Sequence, residues 1–294
     1  MVLAKRKPPG DIIAAAPSRP CIDLVRSNTM SVAYSLAGRT AVVTGGANGI
    51  GRATALLLAE AGAAVTAADL APLAENDEPF AAAGVAQVAC DVRRESDLAG
   101  VIERVVADTG RIDILVNNAG IGMAKPVVEV TEADWDACID TNLKGAFFGC
   151  KHAIRHMSEG DGGAIVNMSS NAGLLPRAHD PVYSISKQAL IGLTRSLALC
   201  HARDRIRVNA VCPGPVGDTA MMNADLDTAV DRDAAVSQLI AASPLAAAWS
   251  RMIEPAEIAE TVLYLVSDAS RMVTGTAIGI DGGKSLGVPP RPGM

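Results

Sequence analysis

Beyond Arg39 the chain alternates between short apolar runs and longer stretches whose apolar residues recur at helical spacing. The short runs lie at 40–44, 64–69, 85–90, 112–116, 164–168, 206–211 and 277–280, and are rich in Val, Ile, Ala and Thr. Continuous apolar runs of this length mark strands that are covered on both faces. The helical patterns predict helices near 50–61, 95–109, 132–157, 182–202 and 255–267. Strands separated by helices need right-handed crossovers, which predicts an α/β fold with one doubly wound parallel sheet of about seven strands. Two segments break the rhythm: a loop at 171–181 and a long, partly helical insertion at 214–254. A connection of that length inside a compact domain is expected to act as a lid or binding loop.

Composition narrows the picture. Hydrophobic residues make up 49% of the 294, but aromatics only 3%, so the core must be built from Ala, Val, Leu and Ile. No apolar run approaches the roughly 18 residues of a membrane span. A net charge of −6 argues against a nucleic-acid partner, which needs a basic field. The six cysteines show no CxxC spacing and read as reduced thiols of a cytoplasmic protein. His152 and His156 stand four apart without a third ligand motif, so no metal site is expected. Residues 1–33, with Lys5, Arg6 and Lys7, several prolines and no h-region, are expected to form a poorly ordered N-terminal extension. Residues 34–288 read as one domain and 289–294 as a tail.

The chemistry begins at the first strand. It ends in Thr44-Gly45-Gly46-Ala47-Asn48-Gly49-Ile50-Gly51 and runs directly into a helical pattern. A glycine turn between strand and helix lets a diphosphate approach the amides of the helix start. Asp69 closes the second strand, where a carboxylate accepts bonds from ribose hydroxyls and repels a 2′-phosphate. Neither Asn48 nor Leu70-Ala71-Pro72-Leu73 offers a cation to such a phosphate, so the expected cofactor is NAD.

These motifs, with those that follow, resemble the short-chain dehydrogenase/reductase family over about residues 36–283. The family's TGxxxGxG is met by Thr44, Gly45, Gly49 and Gly51, its NNAG by Asn117-Asn118-Ala119-Gly120, and its YxxxK by Tyr183 to Lys187. Ser170 stands 13 residues before Tyr183, where the family has its serine; Ser169 is the less favoured neighbour. Asn142 matches the family's active-site asparagine, Pro213-Gly214 its Pro-Gly step, and Asp281-Gly282-Gly283 its DGG. The resemblance implies a Rossmann-type fold and a homotetramer joined through the helices near 132–157 and 182–202. It implies catalytic roles for Asn142, Ser170, Tyr183 and Lys187. It places Gly45, Asn48, Gly49, Ile50, Gly51, Asp69 and Leu70 on the cofactor, with Asp91 and Val92 along the adenine. Asn118, Ala119 and Gly120 would lie beside a ribose, and Pro213, Gly214 and Val216 at the nicotinamide. Members often carry a threonine five residues after the Pro-Gly proline. Here that position is Asp218, so a one-residue adjustment is expected to bring Thr219 to the cofactor.

The residue types suit hydride transfer between a secondary alcohol and a ketone, which needs an acid or base for the hydroxyl proton. Tyr183 serves if its pKa moves down from about 10. Lys187, four residues on, shares its helical face, and an ammonium there favours the phenolate. Ser170 would donate to the substrate oxygen, and Asn142 would by family likeness hold water near Lys187. Alternatives are an NADPH-linked reductase of 3-oxoacyl thioesters and a nucleotide-binding protein without turnover. A Ser170–His179 hydrolase lacks the Gly-x-Ser-x-Gly elbow. In the insertion, Met221, Met222, Leu226, Leu239, Ile240 and Trp249 are expected to line an apolar pocket for a neutral small molecule. Asp218, Asp225, Asp227, Asp231 and Asp233 are expected to face solvent.

Overall fold

The structure is a computed structural model that describes residues 34–71, 77–175 and 177–287. The expected N-terminal extension and the tail after 288 lie outside the described residues. The seven strands are β1 (Thr40–Thr44), β2 (Ala64–Asp69), β3 (Ala86–Ala89), β4 (Ile114–Asn117), β5 (Gly163–Met168), β6 (Ile206–Pro213) and β7 (Ala277–Ile280). They form one sheet in the order β3-β2-β1-β4-β5-β6-β7, and every pairing is parallel. The order reverses between β1 and β4, and in such sheets a crevice opens there at the carboxyl ends of the strands.

Ten helices are described: α1 (Gly49–Glu60), α2 (Glu78–Ala83), α3 (Glu95–Thr109), α4 (Glu132–Ile139), α5 (Gly145–Glu159), α6 (Pro181–His201), α7 (Ala220–Asp227), α8 (Arg232–Ala241), α9 (Pro244–Trp249) and α10 (Pro255–Val266). Alternation along β1 explains why both faces are covered. Ala41 and Val43 pack with Leu58 of α1 and Ile258 and Val262 of α10. Val42 packs the other way, with Val101 of α3, Ala153 of α5 and Ala198 of α6. All five residues of β1 are buried, which is why the strand reads as an unbroken apolar run.

Two features depart from the expected elements. The single helix predicted over 132–157 is interrupted by a π-helical turn, Asp140–Lys144, where Gly145 N–H donates to Asp140 C=O. The extra residue turns Asn142 inward, where it is buried. The insertion at 214–254 holds α7, α8 and α9, each started by a polar residue; the Thr219 and Asp231 side chains accept from the first turns of α7 and α8.

Candidate active site

A cleft of about 770 Å³ opens at the carboxyl ends of the strands, between the glycine turn and α7. Gly45, Asn48, Gly49 and Ile50 line it. Asn48 gives α1 no side-chain cap, and no acidic residue stands in the first turn, so the donors at the helix start remain open to an anion. Gly51 is behind the wall. A Cβ there would lie 2.0 Å from Gly45 O and 2.5 Å from Asn118 Nδ2. Asn118 Nδ2 donates to the carbonyls of Thr44 (3.0 Å) and Gly45 (2.9 Å), tying the turn to the loop after β4. The cradle therefore fits a dinucleotide diphosphate. Gly51→Ala should cost about 3 kcal/mol by forcing this packed turn apart; thermal unfolding of variant and wild type measures the loss.

At the end of β2 Asp69 Oδ2 accepts from Ala47 N–H at 3.0 Å, which fixes the carboxylate at the rim of the cleft. Leu70 beside it is 65% exposed. Asp91 and Val92 line the cleft, as does Arg93, which the sequence reading missed. Arg93 grips Asp91 at 2.8 and 2.7 Å and holds its carboxyl down at about 2. That guanidinium is thereby committed to Asp91.

α6 presents Tyr183 and Lys187 on one face, as their spacing requires, and both are buried where they line the cleft. Lys187 Nζ lies 5.5 Å from the centre of the Tyr183 ring and donates to Met168 C=O at 3.0 Å. Burial pushes the Lys187 ammonium down to about 8. The sequence argument expected the Tyr183 phenol to move down as well. In the protein alone burial instead pushes it up, against the smaller pulls of the Ser170 hydroxyl and the Arg177 guanidinium. Desolvation penalises either charge, and it outweighs the attraction that spacing alone suggested.

The two candidate serines separate cleanly. Ser169 Oγ donates to the Lys187 carbonyl at 2.7 Å and is spent on α6. Ser170 Oγ accepts from Ala172 N–H at 3.1 Å and donates to Asn171 Oδ1 at 3.2 Å, beside the phenol. Asn142 does not line the cleft. Its amide clamps the loop after β4, accepting from Ile121 N–H at 2.8 Å and donating to Ile121 C=O at 3.0 Å. Gly120 fills the gap beside it: a Cβ there would sit 3.2 Å from Asn142 Oδ1 and 3.3 Å from Lys187 Nζ.

Ala119, Pro213, Gly214, Val216 and Thr219 complete the wall. Asp218 takes a left-handed φ of 52°, and the Thr219 methyl faces Gly49. On the far side Met221, Met222, Leu226 and Leu239 line the cleft as expected, whereas Ile240 and Trp249 do not. Asp225 is exposed, as expected, and it also stands on the cleft wall. Arg177, Asp180 and Lys284 also line this half. Arg177 and Asp180 sit in the loop already marked as irregular. Lys284 directly follows the Asp-Gly-Gly turn, a signal that went unused. His179 is exposed and off the wall. His152 and His156 reach across to Glu95 (3.1 Å) and Glu103 (3.0 Å) on α3.

Comparison with known proteins bears on this geometry. Residues 45–285 match the family model described as enoyl-(acyl carrier protein) reductase. The chain is 42% identical to a cis-4-hydroxycyclohexanecarboxylate dehydrogenase of Sinomonas cyclohexanicum, covering 85% of this chain and 97% of that one. It is 39% identical to a 3-oxoacyl-[acyl-carrier-protein] reductase of Thermotoga maritima, over 84% and 98%. The chain belongs to the short-chain dehydrogenase/reductase family. Among solved members, the aldohexose dehydrogenase of Thermoplasma acidophilum superposes with a TM-score of 0.79 at 31% identity, over 88% of this chain and 98% of that one. As a short-chain dehydrogenase/reductase, the protein is an oxidoreductase that interconverts alcohols and ketones with a nicotinamide cofactor.

Proposed function

We propose that the protein oxidises a secondary alcohol reversibly with NAD, using Tyr183 as the acid and base. The observation that carries this reading is the convergence of Ser170, Tyr183 and Lys187 on the same cleft as the glycine turn. Bound nicotinamide supplies the hydride acceptor and, when oxidised, a positive charge. In ketone reduction the Tyr183 phenol gives its proton to the carbonyl oxygen, while Ser170 O–H donates to the same oxygen. In oxidation Tyr183 takes the hydroxyl proton, and Lys187 stabilises the phenolate. Asn142 acts at one remove, holding the loop of Gly120 and Ile121 against Lys187.

NAD is favoured over NADP because the Asp69 carboxylate occupies the rim where a 2′-phosphate would sit. Replacing Asp69 by Ser together with Leu70 by Arg should move the NADP-to-NAD ratio of kcat/KM by about 100-fold, the effect of one repulsion removed and one charged bond gained. Turnover of a panel of secondary alcohols, followed at the NADH absorbance with each cofactor, tests the whole reading. A strong native preference for NADP would sink the role given to Asp69. It would also favour the thioester reductase suggested by the Thermotoga relative.

The setting is read as cytoplasmic, supported by the five described cysteines, all free and four of them buried. Among the described residues no helix is long and apolar enough to cross a membrane. A homotetramer is part of the reading. It is supported by Trp135 on α4, Phe147 on α5 and Leu199 on α6, large apolar side chains left exposed on the helices the family uses for assembly.

A further inference from the structure

The substrate half of the cleft carries more fixed charge than an apolar pocket needs. Arg177, Asp180, Asp225 and Lys284 all line it, and their pairings are unequal. Arg177 Nη1 lies 3.0 Å from the buried Asp180 Oδ2, so that pair is closed. Asp225, on α7, is exposed and its charge is screened by water. Lys284 is half-buried on the turn after β7, and among the described residues it forms no ion pair. Its sequence neighbour Asp281 is spent on the same turn, accepting from Gly283 N–H at 2.9 Å and Ser285 N–H at 2.8 Å. Burial, with the Arg177 charge behind it, holds the Lys284 ammonium below its ordinary value against the smaller pull of the Asp281 carboxylate. Arg177 in turn lies 5.8 Å from the Tyr183 ring, next to the reacting group.

A partly desolvated cation beside a second cation, facing a cavity, is stabilised by an anion in that cavity. We infer that Lys284 binds a carboxylate of the substrate, carried on a carbon other than the reacting one. The substrates are then hydroxy acids and oxo acids whose apolar body lies along Met221, Met222, Leu226 and Leu239. One unbalanced cation matches a monoanion; a phosphate would bring a charge that nothing on this wall neutralises. This departs from the neutral substrate expected from the insertion alone, and it rests on the oxidoreductase reading of the cleft.

Two measurements test it on the full chain. Calorimetric titration of the NADH-saturated protein should show cyclohexanecarboxylate binding at least about ten-fold tighter than cyclohexanecarboxamide. Lys284→Met should bring the two within about two-fold of each other, and Lys284→Arg should keep the preference. Equal affinities in the wild type, no detectable binding of the carboxylate, or a preference that survives Lys284→Met overturns the inference. Turnover separates this from the parent reading. The ratio of kcat/KM for cis-4-hydroxycyclohexanecarboxylate over its carboxamide should fall from about ten or more toward one in Lys284→Met, mainly through KM. Oxidation of alcohols with no such ratio in the wild type defeats the carboxylate subsite alone. Carboxylate binding through Lys284 with no oxidation of any alcohol supports the subsite and defeats the oxidoreductase reading instead.

Discussion

Tyr183→Phe should lower kcat for a secondary alcohol by about 10³-fold, while NADH affinity stays within about two-fold of the wild type. The expectation follows from how little the change removes. The ring is 8% exposed and packs beside Val182, Ala172 and Cys138, so Phe fills the same space. What is lost is one hydroxyl, the group proposed to exchange a proton with the substrate oxygen, beside the Ser170 hydroxyl. A nucleotide-binding protein without turnover would be indifferent to the change. Steady-state kinetics read the first quantity, and fluorescence titration with NADH the second. If more than a tenth of the turnover survives, another group moves the proton and the proposed role of Tyr183 fails. Because burial keeps the phenol protonated in the protein alone, Tyr183 begins as an acid, which suits ketone reduction. Oxidation needs the phenolate, and the Lys187 ammonium, buried on the same helix face and 5.5 Å from the ring centre, is the cation held against it.

Much of the framework was legible because each element carries its own periodicity. β1, β2 and β7 span the same residues as the β-branched and apolar runs read for them. α2 was overlooked because six residues with a proline in the first turn offer no period to read. Its start and stop signals are nonetheless plain in retrospect: Asp77 accepts from Phe80 N–H, and Gly84 closes it in the left-handed region. The π-helical turn at Asp140–Lys144 could not be read, because one extra residue inside a helix leaves the apolar spacing nearly intact. The site motifs were legible in kind, since turn glycines and an i, i+4 pair have geometric meaning in any sequence. Charges brought from separate loops were not. Arg177 and Lys284 stand more than a hundred residues apart in the chain, and only the order of the sheet places both on one wall. The direction of the Tyr183 shift was missed for a related reason, since spacing reports a neighbour's charge but not the loss of water around it.

The same loss of water predicts a pH-dependent stability. Lys187 is 3% exposed, and its ammonium sits at about 8 where its ordinary value is 10.5. Between those values the unfolded chain keeps a proton that the folded chain has released, so this group's contribution to stability rises with pH across the window. Below about 8 the folded protein carries the full cost of a buried ammonium. Lys187→Met removes that titration and leaves a side chain of similar length in an apolar setting. It also strips Met168 C=O of its donor, a penalty that does not change with pH. The stability of the variant relative to the wild type should therefore be most favourable near pH 7 and fall by about 2–3 kcal/mol by pH 10. Denaturant unfolding of both proteins at several pH values between these limits reads the difference directly. A flat difference would mean that Lys187 titrates normally and is hydrated in the folded state. A slope of the expected sign, together with lost turnover in the variant, would identify Lys187 as a residue held at a cost to folding because the phenol beside it needs a cation.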